Sequence, residues 1–164
     1  MVRLAIFTSL VALVVLSTAT ALTFDYDVRI LNRKSGGWLN GVDGYHWSPI
    51  VVEEKSHGDF GIWNILKAVE EEDYYNFVNI GSGFPVMPTR PDKPLMTSGA
   101  RIPPSRVRLE VVDVSAYRIK DIVSDLYWTR VHNEVFLRPL DSSDDNQIWE
   151  FRPQRFDEEF AFWE

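Results

Sequence analysis

Four loops of this chain hold the side chains whose types could do chemistry. In Ser98 to Ser105 (Ser-Gly-Ala-Arg-Ile-Pro-Pro-Ser), Arg101 precedes Ile102, and Pro103-Pro104 hold the segment extended. An arginine presented in this way could enter the acidic pocket of a trypsin-like protease, because a guanidinium pairs with a carboxylate through two parallel bonds. Arg130-Val131-His132-Asn133 offers a second arginine between two predicted strands. Arg90 is a poorer contact, since the Pro91 that follows it would block cleavage by most serine proteases. Gly41 to Ser48 clusters Tyr45, His46 and Trp47, an aromatic group that could lie against a sugar ring or a protein.

Catalytic signatures are missing. The sequence has no Gly-x-Ser-x-Gly elbow, no phosphate loop and no His-Glu-x-x-His. His46, His57 and His132 stand in separate contexts without ligand spacing, and the absence of cysteine removes thiol catalysis and cysteine metal sites. Carboxylate runs such as Glu70-Glu71-Glu72-Asp73 and Asp144-Asp145 read most simply as solvated turns, with a glycosidase pair left open. The expectation is a binding protein rather than an enzyme, with no cofactor and no metal.

Those loops need a scaffold, and composition bounds it. The 164 residues are 45% hydrophobic and 25% charged, which suits one globular domain. Met1-Val2-Arg3, an apolar run from Leu4 to Leu16, and Ala19-Thr20-Ala21 read as a signal peptide over residues 1–21. The run is shorter than the roughly 20 residues a membrane span needs. A secreted chain starting at about Leu22 is expected, with no membrane association. The net charge of −7 becomes −8 once Arg3 is removed, so nucleic acid is a poor partner. An exported domain without disulfides must be held together by its core.

The order of elements comes from repetition. Asp144-Asp145-Asn146-Gln147-Ile148-Trp149 runs from an acidic turn into a strand, and Gly58-Asp59-Phe60-Gly61-Ile62-Trp63 has the same form. Val28-Arg29-Ile30-Leu31-Asn32, Tyr75-Asn76-Phe77-Val78-Asn79 and Tyr117-Arg118-Ile119-Lys120-Asp121 are each followed, at one spacing, by Ser35-Gly36, Ser82-Gly83 and Ser124-Asp125. Each reads as a strand ended by an Asx residue and a tight turn. Further apolar pieces follow at 37–40, 49–53 and 62–66; at 84–87, 94–97 and 107–111; and at 126–129, 134–138 and 148–152. No helical stripe competes with this pattern. The expected fold is all-β, with twelve strands in three pseudo-symmetric repeats, closed so that no edge is left open.

These residues resemble the β-trefoil family, and within it the ricin-B-like (QxW) proteins, through Gln147-Ile148-Trp149. His57-Gly58-Asp59 leading to Trp63, together with Asn146-Gln147-Ile148-Trp149, is similar to mushroom serine-protease inhibitors of β-trefoil fold. The likeness covers roughly residues 26–153; in the middle copy Leu109 is aligned with Trp63 and Trp149. Both tryptophans read as core aromatics, and Asn146 and Gln147 as amides that fix a turn.

In ricin-like repeats a sugar-binding Asp lies five positions after the Ser of the Ser-Gly turn. Here those positions hold Asn40, Met87 and Thr129, so the resemblance leaves one plausible carbohydrate pocket, of Asn40, Trp47 and Asp59. The domain is expected to span 22–153, with an acidic-aromatic tail over 154–164 whose Phe156, Phe160, Phe162 and Trp163 pack on the barrel's end. The leading expectation is a monomeric, secreted inhibitor that presents Arg101-Ile102 or Arg130-Val131 to a protease. The alternatives are a carbohydrate-binding lectin, and a secreted effector with neither activity.

Overall fold

The computed structural model describes residues 27–69, 72–101 and 103–154. The signal-peptide segment, Ile102 and the tail beyond Gln154 lie outside the described residues. Three four-stranded units follow one another. The first has β1 (Val28–Asn32), β2 (Trp38–Gly41), β3 (Ser48–Glu53) and β4 (Trp63–Val69). The second has β5 (Glu72–Asn79), β6 (Val86–Met87), β7 (Met96–Thr97) and β8 (Val107–Asp113). The third has β9 (Ala116–Asp121), β10 (Tyr127–Val131), β11 (Glu134–Arg138) and β12 (Trp149–Pro153).

Antiparallel pairing closes a ring in the order β1, β4, β5, β8, β9, β12 and back to β1. The other six strands form hairpins β2–β3, β6–β7 and β10–β11. The hairpins join one another through β3–β7 and β3–β11, and through Leu95 N–H to the Val135 carbonyl at 2.7 Å. The closed ring leaves no barrel edge for another chain to extend.

The expected boundaries shift for identifiable reasons. β4 and β12 start at Trp63 and Trp149, one residue later than the apolar run, because 3₁₀ turns at Gly58–Gly61 and Asp145–Gln147 precede them. Those turns use the Ile62 and Ile148 N–H groups on the carbonyls of Asp59 and Asp145. Strands β6 and β7 have only two residues each, since Pro85, Pro88, Pro91 and Pro94 supply no donor for a ladder.

Register also corrects the alignment of the middle unit. Trp63 pairs with Asn79 and Trp149 with Asn32, and the residue paired with the equivalent Asp121 is Val107, not Leu109. Leu109 instead matches Ile65 and Phe151, one inward position further along. The same frame makes Leu39, Val86 and Trp128 equivalent. The middle unit therefore puts two valines where the third unit puts two tryptophans. Volume returns from Phe77, which is equivalent to Ile30 and Ile119 and lies 5.1 Å from the Trp128 ring.

The core contains Trp63, Trp128, Trp149, Phe77, Ile30, Leu39 and Ile119, all fully buried. Each tryptophan removes about 150–250 Å² from water, about 4–6 kcal/mol at 25 cal/mol per Å². Two of them also hold their unit shut: Trp63 Nε1 donates to the Leu39 carbonyl at 2.9 Å, and Trp149 Nε1 to the Trp128 carbonyl at 3.1 Å. Trp128 Nε1 has no hydrogen-bond partner among the described residues.

Because only two of the three indoles satisfy a buried carbonyl, Trp63→Phe and Trp149→Phe should each cost about 1–3 kcal/mol more than Trp128→Phe. Urea unfolding of the three variants measures the difference, and equal losses would show that ring volume alone decides.

Candidate functional site

The β2–β3 hairpin narrows to the pair Gly41 and Ile50, and residues 42–47 form its tip. Asp43 organises that tip. Its carboxylate accepts the Tyr45 N–H at 3.0 Å, and the buried Ser48 hydroxyl lies within reach of both that carboxylate and the Tyr45 carbonyl. His46 stacks on Phe84 of the second unit, with ring centroids 5.2 Å apart and planes at 14°. A Cβ at position 99 would come within 2.6 Å of the Phe84 ring and 2.9 Å of the His46 ring, so Gly99 gives the stack its room.

His46 stays exposed beside its stack, and its two neighbours face water as well. Tyr45 is 76% exposed and Trp47 46% exposed. Trp47 also has φ +65°, a left-handed conformation that costs a residue with a Cβ about 1–2 kcal/mol. Strain of this kind, held in place by a pinned turn, is a pointer to a working surface.

The other expected site residues are scattered. Asn40 is 1% exposed, and its amide is committed: Nδ2 donates to the Trp38 and Lys55 carbonyls at 3.1 and 3.0 Å, and Oδ1 accepts the His57 N–H at 3.0 Å. Met87 and Thr129 are buried as well. All three positions five residues after the turn serine thus face the interior, and Asn40 is a structural pin rather than a sugar ligand. Asp59 is exposed in its 3₁₀ turn, where its carbonyl accepts Ile62 and Gly81 N–H groups. Asn40, Trp47 and Asp59 do not converge on one opening, because one of the three is inside. Gln147 fixes the equivalent region of the third unit, bonding Thr129, the Pro139 carbonyl and the Asp141 N–H.

The two arginine loops part company. Arg101 is exposed on a segment strung between the buried Ser98 and Ser105, whose N–H groups bond the carbonyls of Pro85 and Val86 at 3.2 and 2.9 Å. Arg130 and Val131 belong to β10, in register with Val135 and Glu134. Their connection is the two-residue turn His132-Asn133, with His132 at φ +58°. The expected loop is therefore a hairpin end. Its half-buried Arg130 is on a backbone already paired with β11, which removes it as an extended segment for a protease cleft.

One group escaped the sequence reading. Tyr74, Arg108, Lys120, Ile122 and Asp125 line a depression on the barrel wall. They come from three strands and a turn, and only the register of β8 against β9, which sets Arg108 opposite Lys120, brings them together. The Asp125 carboxylate, hydrogen-bonded to Lys120, holds that ammonium above its ordinary pKa. Burial, then the hydrogen bond to Glu110, pushes the Tyr127 hydroxyl up. Among the described residues no three His, Asp or Glu side chains cluster as a metal ion would require.

No protein-family model matches the sequence, and no curated protein matches it. Solved structures do match in shape. ThreeFoil, a designed threefold-symmetric protein, aligns with a TM-score of 0.67 at 17% identity, over 76% of this chain and 96% of its own. SeviL, solved bound to asialo-GM1 saccharide, gives 0.63 at 16% over 79% and 98%. The Polyporus squamosus lectin, solved with a sialylated epitope, gives 0.66 at 13% over 80% of this chain but only 50% of its own. Identities this low carry architecture alone, and together with the closed ring and its three hairpins they make this chain a β-trefoil.

Proposed function

We propose that this β-trefoil is a carbohydrate-binding protein, taking a sugar on the aromatic tip of the β2–β3 hairpin. The observation that carries the reading is the pair Tyr45 and Trp47, exposed on a turn that Asp43 and the His46–Phe84 stack hold in place. The apolar face of a pyranose lies well against such rings. A platform fixed before the ligand arrives loses little freedom on binding. The saccharide complexes of SeviL and the Polyporus squamosus lectin support the same class of ligand. Glycans outside the cell are the setting that the leader-like residues 1–21 suggest.

A second reading, protease inhibition, rests on Arg101. Its segment is tethered at Ser98 and Ser105 and exposes Arg101, the kind of side chain that the acidic pocket of a trypsin-like protease accepts.

Screening the mature protein on a glycan array tests the first reading. Tyr45→Ala and Trp47→Ala should each weaken binding at least about tenfold, or roughly 1.4 kcal/mol. Asn40→Ala should leave affinity intact while lowering stability by about 1–3 kcal/mol in urea unfolding, since it orphans buried groups. A silent array, or binding that survives both aromatic changes, rejects the reading. Assayed against trypsin-like proteases, inhibition abolished by Arg101→Ala would establish the second reading. Silence in both assays would leave an effector with neither activity.

A further inference from the structure

Between β5, β8 and β9 the barrel wall has a depression of about 180 Å³, lined by Tyr74, Arg108, Lys120, Ile122 and Asp125. Its electrostatics are unfinished. Arg108 and Lys120 are directly opposed in the β8–β9 ladder, and like charges in that arrangement repel. Asp125 answers Lys120, with Oδ1 at 2.6 Å from Nζ. Arg108 has a phenol instead of an acid: its guanidinium lies 5.3 Å from the Tyr74 ring centroid and donates to the Tyr74 hydroxyl at 3.3 Å. The nearby carboxylates are engaged elsewhere. Glu110 takes the Tyr127 hydroxyl at 3.1 Å, and Asp121 is turned inward to Ser105 and Ser124.

The fold does not require this arrangement. At the equivalent ladder positions Asn64 faces Val78 between β4 and β5, and Glu150 faces Leu31 between β12 and β1. Neither of those positions opposes two cations; further along the β1–β12 ladder Arg29 faces Arg152, but there each guanidinium has its own oxygen acceptor, on Ser56 and Glu150. On a chain of net charge −7, a locally positive depression concentrates anions. The turn that supplies Ile122 and Asp125 is rigid, since the Ile122 N–H bonds the Arg106 carbonyl and the Asp125 N–H the Asp121 carbonyl, each at 3.0 Å.

We propose that this depression binds an acidic sugar, a single pyranose bearing a carboxylate or sulfate. The guanidinium of Arg108 takes the anionic group in its fork, relieving the repulsion from Lys120. Ile122 and the edge of Tyr74 receive the apolar face of the ring, and Asp125 accepts a hydroxyl. The volume is below the roughly 300 Å³ at which ligand pockets usually begin, so the fit is to one terminal residue rather than an enclosed chain. The choice of a sugar as carrier of the anion rests on the glycan-binding reading, but the site is not the Tyr45–Trp47 surface.

NMR titration of the folded protein with glucuronic acid and galactose 6-sulfate, against galactose and sodium sulfate, tests the proposal. The acidic sugars should bind at least tenfold more tightly than either control, and more weakly as salt rises. Arg108→Gln should lower their affinity at least tenfold with thermal unfolding unchanged, and Arg108→Lys should fall between. Galactose or sulfate matching the acidic sugars would overturn the proposal, as would Arg108→Gln binding like the parent. Trp47→Ala separates the two sites. Acidic-sugar binding retained in that variant supports this site whether or not the array reading stands, and its loss there would move the acidic sugar to the hairpin tip.

Discussion

Three buried Asx side chains hold the units of this barrel to one another. Asn32, Asn79 and Asp121 end β1, β5 and β9, and none is more than 3% exposed. Each binds forward to its own turn: Asn32 and Asn79 accept the Ser35 and Ser82 N–H groups, and Asp121 accepts that of Ser124. Each also reaches across to the connection that opens the neighbouring closing strand. Asn32 donates to the Asn146 carbonyl and Asn79 to that of Phe60. Asp121 has no N–H to give, and there the chain supplies a donor instead, the Ser105 hydroxyl at 3.0 Å. One substitution forces the other, because a buried carboxylate facing a carbonyl would be repelled, while one facing a hydroxyl is satisfied.

That clasp explains why the units cannot be independent. Losing one Asx residue would orphan groups on both sides of a seam, at about 1–3 kcal/mol for each buried group. The backbone repeats the same tie: the N–H groups of Arg33, Ile80 and Ile122 bond the carbonyls of Ile148, Ile62 and Arg106, each at 3.0 Å. Without disulfides, closure of the ring depends on these seams together with the buried tryptophans. The turn that follows each clasp needs a left-handed residue, which is Gly36, Gly83 and Asp125 in turn, at φ between 63° and 69°. Asp is among the few residues with a Cβ that tolerate that conformation.

This is why the fold was readable from the chain. A strand, an Asx residue and a turn serine recur at fixed spacing because each has a physical duty in the clasp. The failures have equally specific causes. Leu109 was aligned with the tryptophans by counting residues, whereas strand register puts Val107 there, and register depends on the partner strand rather than on local sequence. The 3₁₀ turns escaped because a single turn has no periodicity to detect. Asn40 was read as a ligand by its place in a motif, but an amide with two donors and an acceptor serves equally well as an internal pin, and only its surroundings decide.

The symmetry of the framework also separates what the fold needs from what it merely permits. Positions that carry the same chemistry in all three units, such as the Asx clasp, are accounted for by stability. The aromatic tip at Tyr45 to Trp47 and the cation pair at Arg108 and Lys120 each occur in one unit only, and each carries a local cost, backbone strain in the first and like-charge repulsion in the second. Left-handed backbone and opposed cations also occur elsewhere in the barrel, at His132 and at Arg29 against Arg152, so the distinguishing feature is the exposed group that each cost accompanies in these two places. It marks the surfaces on which the sequence answers to something other than folding, and those surfaces are two separate regions of one rigid scaffold.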